Sequence, residues 1–343
     1  MRAAVFNGVG KPLSIERVPD PAPEPDELLV KVSASGICGT DLHLSQLEGG
    51  LAPGSIMGHE FAGEIVAVGK QARGSWREGE RIAVVPYLAC GTCQACQDGG
   101  DVLFCPSVRY TGFGEVSGGY AELARVGSSE AVRLNARIPD AIGAMVEPLC
   151  VALQAVEHAD LSSDARVLIT GAGPIGLAVA HWARFQGTRD VIVSEPVESR
   201  LRMALELGAT AVIDPSKQDV ASAYEKEAGG PPDVIFACVG APGLIQQGIE
   251  LVRPKGRIIV VGVCMGEDRW SPGSAIQKSL TLHFSIGYRV RHFQLAIDML
   301  AAERIRPAPM ITQTVSFAAF PDTFEGLRHP STQCKVILDP DLA

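Results

Sequence analysis

Two sets of potential metal ligands stand out in the sequence. The compact set comprises four cysteines in a short segment, at Cys90, Cys93, Cys96 and Cys105. Four thiolates with no open position form the closed tetrahedral site that is typical of structural zinc. In a protein without an export signal, such a cluster favours metal over disulfides. We therefore expect a structural zinc lobe over residues 88–106, with reduced, metal-free thiols as the alternative.

The second set is dispersed along the chain. Cys38 lies in the segment Gly36–His43, His59 and Glu60 follow, and Glu147 comes much later. One thiolate, one imidazole and one carboxylate leave a fourth coordination position for water or substrate, as in catalytic zinc sites. Taken singly, Cys38 is more often a core thiol and His59 a satisfied buried histidine. Spacing alone therefore leaves both interpretations open.

A glycine-rich segment, Gly-Ala-Gly-Pro-Ile-Gly, begins at Gly171, directly after a predicted strand and at the start of a predicted helix. In that context the glycines permit a tight turn, close approach to a pyrophosphate and close helix–strand packing. The helix N-terminus also faces the phosphates with free N–H groups. A glycine-rich turn without a ligand is the alternative. The expected cofactor contacts are Gly171, Gly173, Pro174, Ile175 and Gly176.

Glu195 stands at the end of the second predicted strand of this region. A carboxylate there accepts hydrogen bonds from a ribose 2′-OH and repels a 2′-phosphate, so we expect NAD rather than NADP. Arg200, in the predicted helix that follows, is expected to join the cofactor contacts. The alternative for Glu195 is a solvated surface acid.

The elements that must position these residues fall into three regions. Residues 1–150 are predicted to be β-rich, with short runs separated by Gly and Pro turns. Residues 151–287 alternate apolar strand-like runs with helix-like stretches, which predicts a doubly wound α/β domain with a parallel sheet. Residues 288–343 are too few to fold alone and are expected to return to the first domain. The predicted strands are Leu28–Ser33, Gly63–Val68, Arg81–Val85, Val167–Thr170, Val191–Ser194, Ala211–Asp214, Asp233–Val239, Arg257–Val263 and Leu280–Phe284, and the predicted helices are Pro174–Gln186, Glu198–Leu207 and His292–Arg304.

Composition excludes several classes of partner. The chain of 343 residues has a formal net charge of −9, which argues against a nucleic-acid partner and against a zinc-finger interpretation of the cysteine lobe. The first residues turn polar too early for a signal peptide, and no apolar run approaches the roughly 18 residues that span a bilayer. We expect a cytoplasmic protein without membrane association.

Taken in order, these segments resemble the zinc-dependent branch of the medium-chain dehydrogenase/reductase superfamily over nearly the whole chain. The matching motifs are GxCGTDxH from Gly36, GHE from Gly58, the four-cysteine lobe, EPL from Glu147 and the nucleotide fingerprint. The EPL form is similar to the polyol, butanediol and threonine dehydrogenase subgroup. The resemblance implies a GroES-like β-rich catalytic domain joined to a Rossmann dinucleotide-binding domain. The lobe departs from the family pattern because eight residues, rather than the usual seven, separate Cys96 from Cys105.

The resemblance also implies a role for each metal-site residue. Cys38 and His59 would ligate the catalytic zinc. Glu147 and Glu60 would share the carboxylate position, with Glu147 favoured in the resting site. Asp41 would hold a zinc ligand in its orientation.

The implied reaction is hydride transfer between a secondary alcohol, diol or polyol and NAD, which yields a ketone. Thr40 and His43 match the family's proton relay, in which Thr40 passes the alcohol proton through the cofactor ribose to His43 near the surface. By analogy, Tyr87, Leu88, Tyr110 and Phe113 are expected to line the substrate pocket.

The resemblance further implies a homodimer or homotetramer, because relatives commonly pair their nucleotide domains edge to edge. Two alternatives remain open. One is a zinc-free quinone or enone reductase of the same superfamily that uses NADPH. The other is a non-catalytic nucleotide-binding relative.

Overall fold

The structure is a computed structural model and describes residues 1–97, 102–114, 116–329 and 331–343. The chain divides into two compact units. Unit 1 comprises Met1–Glu147, Arg289–Glu303 and Ile311–Ala343, and unit 2 comprises Pro148–Tyr288 and Arg304–Met310.

Strands predominate in unit 1, whereas helices and strands alternate through unit 2. In chain order, the strands are β1 (Arg2–Val5), β2 (Ser14–Arg17), β3 (Glu27–Gly36), β4 (Glu60–Val68), β5 (Arg81–Val84), β6 (Tyr87–Leu88), β7 (Arg109–Tyr110), β8 (Leu123–Gly127), β9 (Ala131–Arg133), β10 (Arg166–Thr170), β11 (Asp190–Ser194), β12 (Ala211–Ile213), β13 (Val234–Ala237), β14 (Arg257–Val260), β15 (Thr281–Phe284), β16 (Ile311–Val315) and β17 (Lys335–Leu338). The helices are α1 (Gly39–Leu44), α2 (Gln94–Gln97), α3 (Asp140–Gly143), α4 (Val146–Ala159), α5 (Pro174–Phe185), α6 (Glu198–Glu206), α7 (Val220–Ala228), α8 (Leu244–Leu251), α9 (Pro272–Gln277), α10 (Val290–Ala301) and α11 (Phe320–Gly326), with 3₁₀ turns at Val102–Phe104 and Ala308–Met310.

Unit 1 is built on a mainly antiparallel sheet in the order β16-β17-β3-β4-β5-β9, with β8 also paired to β3. Along β3, Leu28, Val30 and Val32 are buried while Lys31 is exposed, as expected for a strand with one face on the core. In the register of β3 and β4, Gly36 lies opposite Glu60. The end of β3 and the start of β4 therefore meet at the same edge, which is where the dispersed metal-ligand motifs begin.

Unit 2 contains a six-stranded sheet in the order β12-β11-β10-β13-β14-β15, with every pair parallel. Its central strands β10 and β13 are almost entirely buried, as expected for strands covered on both faces. The strand order reverses beside β10, which is the switch point where α/β sheets bind ligands. The predicted doubly wound α/β fold with a β-rich first domain is confirmed.

The structure differs from the prediction at the boundaries between regions. Helix α4 was not predicted, and the first segment of unit 1 ends at Glu147, in the first turn of α4, rather than at residue 150. Arg304–Met310 belongs to unit 2, whereas the whole tail was expected on the first domain. One contact that holds this segment is the Arg306 N–H, which donates to His181 Nε2 at 2.8 Å. Within the described residues, we find no helix with the length and apolar character needed to cross a membrane.

Candidate active site and metal centres

The dispersed set of predicted ligands converges in unit 1. One ligand atom from each of Cys38, His59 and Glu60 lies within 4.8 Å of the other two. Cys38 directly precedes helix α1, and His59 and Glu60 stand at the start of β4. His59 and Glu60 are buried, and Cys38 is half-buried. A thiolate, an imidazole and a carboxylate at this spacing fit a divalent zinc ion.

Asp41 organises the group without belonging to it. Its Oδ1 lies 3.1 Å from His59 Nδ1, and its Oδ2 accepts the Cys38 N–H at 3.0 Å. Because a carboxylate only accepts, Nδ1 of His59 carries the proton and Nε2 is the nitrogen available to a metal. Burial alone lowers the pKa of His59, but the facing Asp41 and Cys38 outweigh it and raise that pKa well above its usual value. Asp41 thus holds the ring of His59 in a fixed orientation, as the resemblance implied.

Tyr120 is a member of this network that the sequence analysis missed. Its hydroxyl donates to Asp41 Oδ2 at 2.6 Å, and its side chain is fully buried. Burial and the negative charge of Asp41 raise the pKa of Tyr120 well above its usual value, so the phenol stays a donor. The available signal was a tyrosine in an otherwise small and apolar segment, Gly118 to Ala121, because a buried tyrosine hydroxyl usually has a partner.

Glu60 also has a partner that was not predicted, Lys335 of β17. The Lys335 ammonium donates to both carboxylate oxygens of Glu60, at 2.8 and 2.5 Å. Both side chains are almost completely buried. Burial opposes the charge on Lys335, but the adjacent Glu60 outweighs it and raises the pKa of the lysine. The carboxylate that the sequence offered as a zinc ligand is therefore already part of an ion pair.

The position of Glu147 supports its predicted role as a zinc ligand less directly than the positions of Cys38 and His59 support theirs. It is buried in the first turn of α4. Among the described residues, the group of ligand atoms within 4.8 Å contains Glu60 but not Glu147. Its role as the resting zinc ligand therefore stays a prediction.

The predicted proton relay lies on helix α1. Thr40 is half-buried and His43 is exposed. Residues three positions apart lie on the same side of a helix, so the two side chains are neighbours. The exposure of His43 suits a group that exchanges protons with solvent.

Aromatic side chains cover one side of the metal-ligand group. The Phe113 ring lies 4.5 Å from the His59 ring, measured between centroids. Tyr110 packs on Phe113 at 5.6 Å, and Tyr87 packs on Tyr110 at 5.7 Å. The three aromatic residues expected near the substrate thus form one continuous surface that reaches a candidate zinc ligand.

The compact set of cysteines also converges. The Sγ atoms of Cys90, Cys93, Cys96 and Cys105 all lie within 4.8 Å of one another. Cys96 Sγ is 3.5 Å from Cys93 Sγ and 4.0 Å from Cys90 Sγ. Four sulfurs around one zinc at 2.3 Å stand roughly 3.8 Å apart, so this arrangement fits a tetrahedral zinc.

The extra residue before Cys105 does not remove that cysteine from the group. Cys105 is buried, and its Sγ accepts the Cys90 N–H at 3.4 Å. Residues 98–101 lie outside the described residues, and a 3₁₀ turn leads into Cys105. Hydrogen bonds from Thr92 and the Cys93 N–H lower the pKa of Cys90 to about 5, whereas burial and the neighbouring thiols raise the pKa of Cys96 to about 12. Binding of a metal to all four sulfurs would therefore release a proton from Cys96.

The nucleotide fingerprint has the predicted strand–turn–helix context. Gly171 has φ of +93°, which favours glycine, and it directly follows β10. A Cβ on Gly176 would lie 1.9 Å from the Gly171 carbonyl oxygen, so the turn closes tightly on the helix. Pro174 occupies the first position of α5, Gly173 is its N-cap, and Ile175 follows in the first turn. This geometry leaves the helix N-terminus available to a pyrophosphate.

Glu195 directly follows β11 and is held beside this turn. Its Oε2 accepts the Ala172 N–H at 2.8 Å and its Oε1 accepts the Val197 N–H at 3.0 Å. Glu195 is buried, so it is not a solvated surface acid. Arg200 lies in the first turn of α6 and is half-buried. The structure thus brings the carboxylate to the fingerprint turn itself.

Two family matches cover most of the chain. An alcohol dehydrogenase GroES-like domain matches residues 24–136, and a zinc-binding dehydrogenase domain matches residues 174–302. Among curated proteins, L-threonine 3-dehydrogenase of Pyrococcus abyssi is 33% identical over 320 residues, which is 91% of each chain.

Solved structures agree in fold and differ in bound cofactor. A zinc-binding dehydrogenase of Sinorhizobium meliloti bound to NADP has a TM-score of 0.91 at 33% identity over 99% of each chain. The rspB alcohol dehydrogenase of Escherichia coli complexed with NADH has a TM-score of 0.89 at 30% identity over 99% of each chain. 2R,3R-butanediol dehydrogenase of Bacillus subtilis has a TM-score of 0.89 at 28% identity over 99% of each chain. The chain therefore belongs to the zinc-dependent alcohol dehydrogenases of the medium-chain dehydrogenase/reductase superfamily, and it is a dehydrogenase that uses zinc and a nicotinamide cofactor.

Proposed function

We propose that this chain interconverts a secondary alcohol, diol or polyol and the corresponding ketone, with NAD as the hydride acceptor. The observation that carries the proposal is the convergence of Cys38, His59 and Glu60 within 4.8 Å, next to Asp41. When bound, zinc in such an open site supplies a Lewis acid that eases loss of the hydroxyl proton.

The protein's own residues have separate tasks in this proposal. Asp41 fixes the ring of His59 through Nδ1, so that Nε2 is the nitrogen that would bind the metal. Thr40 accepts the alcohol proton, and the exposed His43 releases it to solvent. Phe113, stacked on His59, presents an apolar surface to the carbon skeleton of the substrate.

The preference for secondary alcohols draws its support from the relatives. The P. abyssi enzyme is by name a 3-dehydrogenase of threonine, and the B. subtilis enzyme is a dehydrogenase of 2R,3R-butanediol. In both names the oxidised hydroxyl sits on an inner carbon. We extend that preference to this chain and leave the individual substrate open.

A substrate screen tests the proposal. Zinc-loaded protein is assayed by NADH absorbance against diols, polyols, hydroxy acids, cyclic alcohols and matched primary alcohols. We expect kcat/KM for the best secondary alcohol to exceed that for its primary isomer by about tenfold or more, a difference of roughly 1.4 kcal/mol. Equal or better turnover of primary alcohols would contradict the substrate class.

We assign NAD as cofactor on the basis of Glu195. The backbone N–H groups of Ala172 and Val197 hold its carboxylate beside the fingerprint turn, where a ribose 2′-phosphate would be repelled. The S. meliloti structure contains NADP, so the fold alone leaves the cofactor undecided. We expect Glu195→Ala to reduce the ratio of NAD to NADP efficiency about tenfold or more. Glu198→Ala, which removes an exposed acid nearby, is the control. A wild-type preference for NADP would refute the assignment.

We also propose that the chain forms a homodimer or homotetramer through β15. This strand is at the edge of the parallel sheet, and exposed apolar side chains accompany it at Ile276, Phe284 and Ile286. A second copy that pairs with the edge would cover them. Phe284→Glu should shift the mass measured by light scattering towards the monomer. Leu205→Glu, at an exposed apolar position on α6, should leave the mass unchanged.

A further inference from the structure

The ion pair between Glu60 and Lys335 has a geometry that bears directly on the metal centre. Lys335 has three N–H donors, and all three are used: two bind the Glu60 carboxylate, and the third donates to the Ile37 carbonyl at 3.0 Å. Ile37 directly precedes Cys38 in the chain. The ammonium is therefore fixed between the loop that carries the thiolate ligand and the strand that carries the carboxylate.

The backbone beside the carboxylate is also shaped for this position. A Cβ on Gly36 would lie 2.3 Å from Glu60 Oε2, so the carboxylate occupies the space that a side chain at residue 36 would fill. Gly36 and Glu60 face each other in the register of β3 and β4. Lys335 and Gly36 thus both contribute to the space that the carboxylate occupies.

The carboxylate in this pocket is close to the metal ligands, yet both of its oxygens are engaged. A Glu60 oxygen lies within 4.8 Å of the ligand atoms of Cys38 and His59, so it is within reach of a metal that those two residues would hold. Coordination there would compete with the Lys335 ammonium for the negative charge of the carboxylate. Because the third donor of Lys335 is bound to Ile37, the ammonium is held in place beside the carboxylate.

We propose that Lys335 is a positioning residue that keeps Glu60 off the catalytic zinc in the resting enzyme. The pairing also neutralises the charge of Glu60, so that a further anion does not weaken the metal as a Lewis acid. The inference rests on the proposed zinc site at Cys38 and His59. It adds that the strand β17 controls how many protein ligands the metal has.

The sign of a change in metal affinity tests this role. In Lys335→Met, the unpaired Glu60 should turn to the metal. Zinc affinity of this site, measured by chelator competition, should therefore rise about tenfold or more, while kcat falls as the open position fills. The visible spectrum of the cobalt-substituted variant should also change, because a carboxylate would have joined the ligands. A purely structural lysine predicts unchanged or weaker zinc binding, and that result would overturn the proposal.

Three further variants give the matched comparisons. Lys335→Arg keeps the charge and should restore the wild-type affinity and cobalt spectrum. In Lys335→Met combined with Glu60→Gln, the gain in affinity should disappear because no carboxylate is left to move. Thr312→Val removes a hydrogen bond to the Lys335 carbonyl oxygen and loosens β17 without touching the ion pair. It should leave zinc affinity unchanged, and a gain like that of Lys335→Met would overturn the proposal.

Two measurements separate this proposal from the one on which it rests. If Cys38→Ser retains both zincs, the site itself is wrong and both proposals fail. If Cys38→Ser loses one zinc but Lys335→Met shows no gain in affinity, only the role of Lys335 fails. Should Lys335→Met not fold, Glu60→Gln decides: a cobalt spectrum that matches the wild type supports an unbound Glu60, and a shifted spectrum refutes it.

Discussion

The two metal centres of unit 1 are built in opposite ways. The cysteine lobe takes its four ligands from one short, partly exposed segment. The hydrogen bonds to its sulfurs come mainly from the other thiols and from nearby N–H groups. The Cys38–His59 centre takes its ligands from separate segments. Buried partners hold them there: Asp41, Tyr120 and Lys335. The lobe is locally specified, whereas the catalytic centre depends on the packing of the whole unit.

Removing a ligand from the catalytic centre should give the largest effect on turnover. We expect Cys38→Ser to lower kcat/KM by about 10³-fold or more, equivalent to roughly 4 kcal/mol of transition-state stabilisation. NADH binding, followed by fluorescence, should remain close to that of the wild type because the fingerprint lies in unit 2. Near-normal turnover in this variant would end the catalytic-zinc interpretation.

Removing a ligand from the lobe should instead cost stability. Cys93→Ser should reduce the zinc content from two to one per chain and lower the unfolding temperature by on the order of 5–10 °C, because structural zinc contributes folding energy. The protein that remains folded should keep the catalytic zinc. Cys264→Ser, at a half-buried thiol in unit 2, is the control for loss of a cysteine. Immediate loss of the catalytic zinc as well would remove the distinction between the centres.

A single hydroxyl tests how far the catalytic centre depends on its buried partners. Tyr120→Phe removes the donor to Asp41 and should weaken catalytic zinc binding by about 10–100-fold, with the lobe zinc unaffected. Tyr224→Phe is the matched control, because the buried Tyr224 hydroxyl has no hydrogen-bond partner in the described part of the chain. If both variants bind zinc equally well, the Tyr120 hydroxyl has no role in positioning.

A cluster of charged side chains in unit 2, outside both metal centres, shows the size of an ordinary effect on the free energy of unfolding. Partial burial raises the pKa of Asp233, but hydrogen bonds from Arg166 and Arg253 outweigh it and lower that pKa to about 2. A carboxyl group whose pKa is lowered by folding stabilises the folded state at pH values above its pKa in the unfolded chain, which is near 4. This contribution is lost as the pH falls towards 2. After allowance for solvent screening, Asp233→Asn should cost about 1 kcal/mol at pH 7 and almost nothing near pH 2, by urea unfolding. A cost that is independent of pH would contradict the ionic origin.

Features with a local signal could be predicted from the sequence. The run of cysteines, the fingerprint after Thr170 and the apolar strands of unit 2 each carry their meaning within a few residues, and all appear in the structure. A residue whose role depends on a partner far away in the sequence could not be predicted in this way. Lys335 is the first residue of a strand that continues with Val-Ile-Leu, a position typical of an exposed lysine at the end of a strand. No residue near it in the sequence indicates a carboxylate partner 275 positions away. Tyr120 was missed for the same reason, because Asp41 lies 79 positions before it.

The separation between Glu60 and Lys335 also has a consequence for biosynthesis. At roughly 5–20 residues per second, the ribosome makes Lys335 about 14–55 s after Glu60, which is 275 residues earlier in the chain. During that interval the nascent chain already carries Cys38, His59 and Glu60, but the ammonium that restrains the carboxylate does not yet exist. A metal captured early would meet a different set of donors from the one in the finished protein, so the order of synthesis and metal loading bears on which ion the centre first receives.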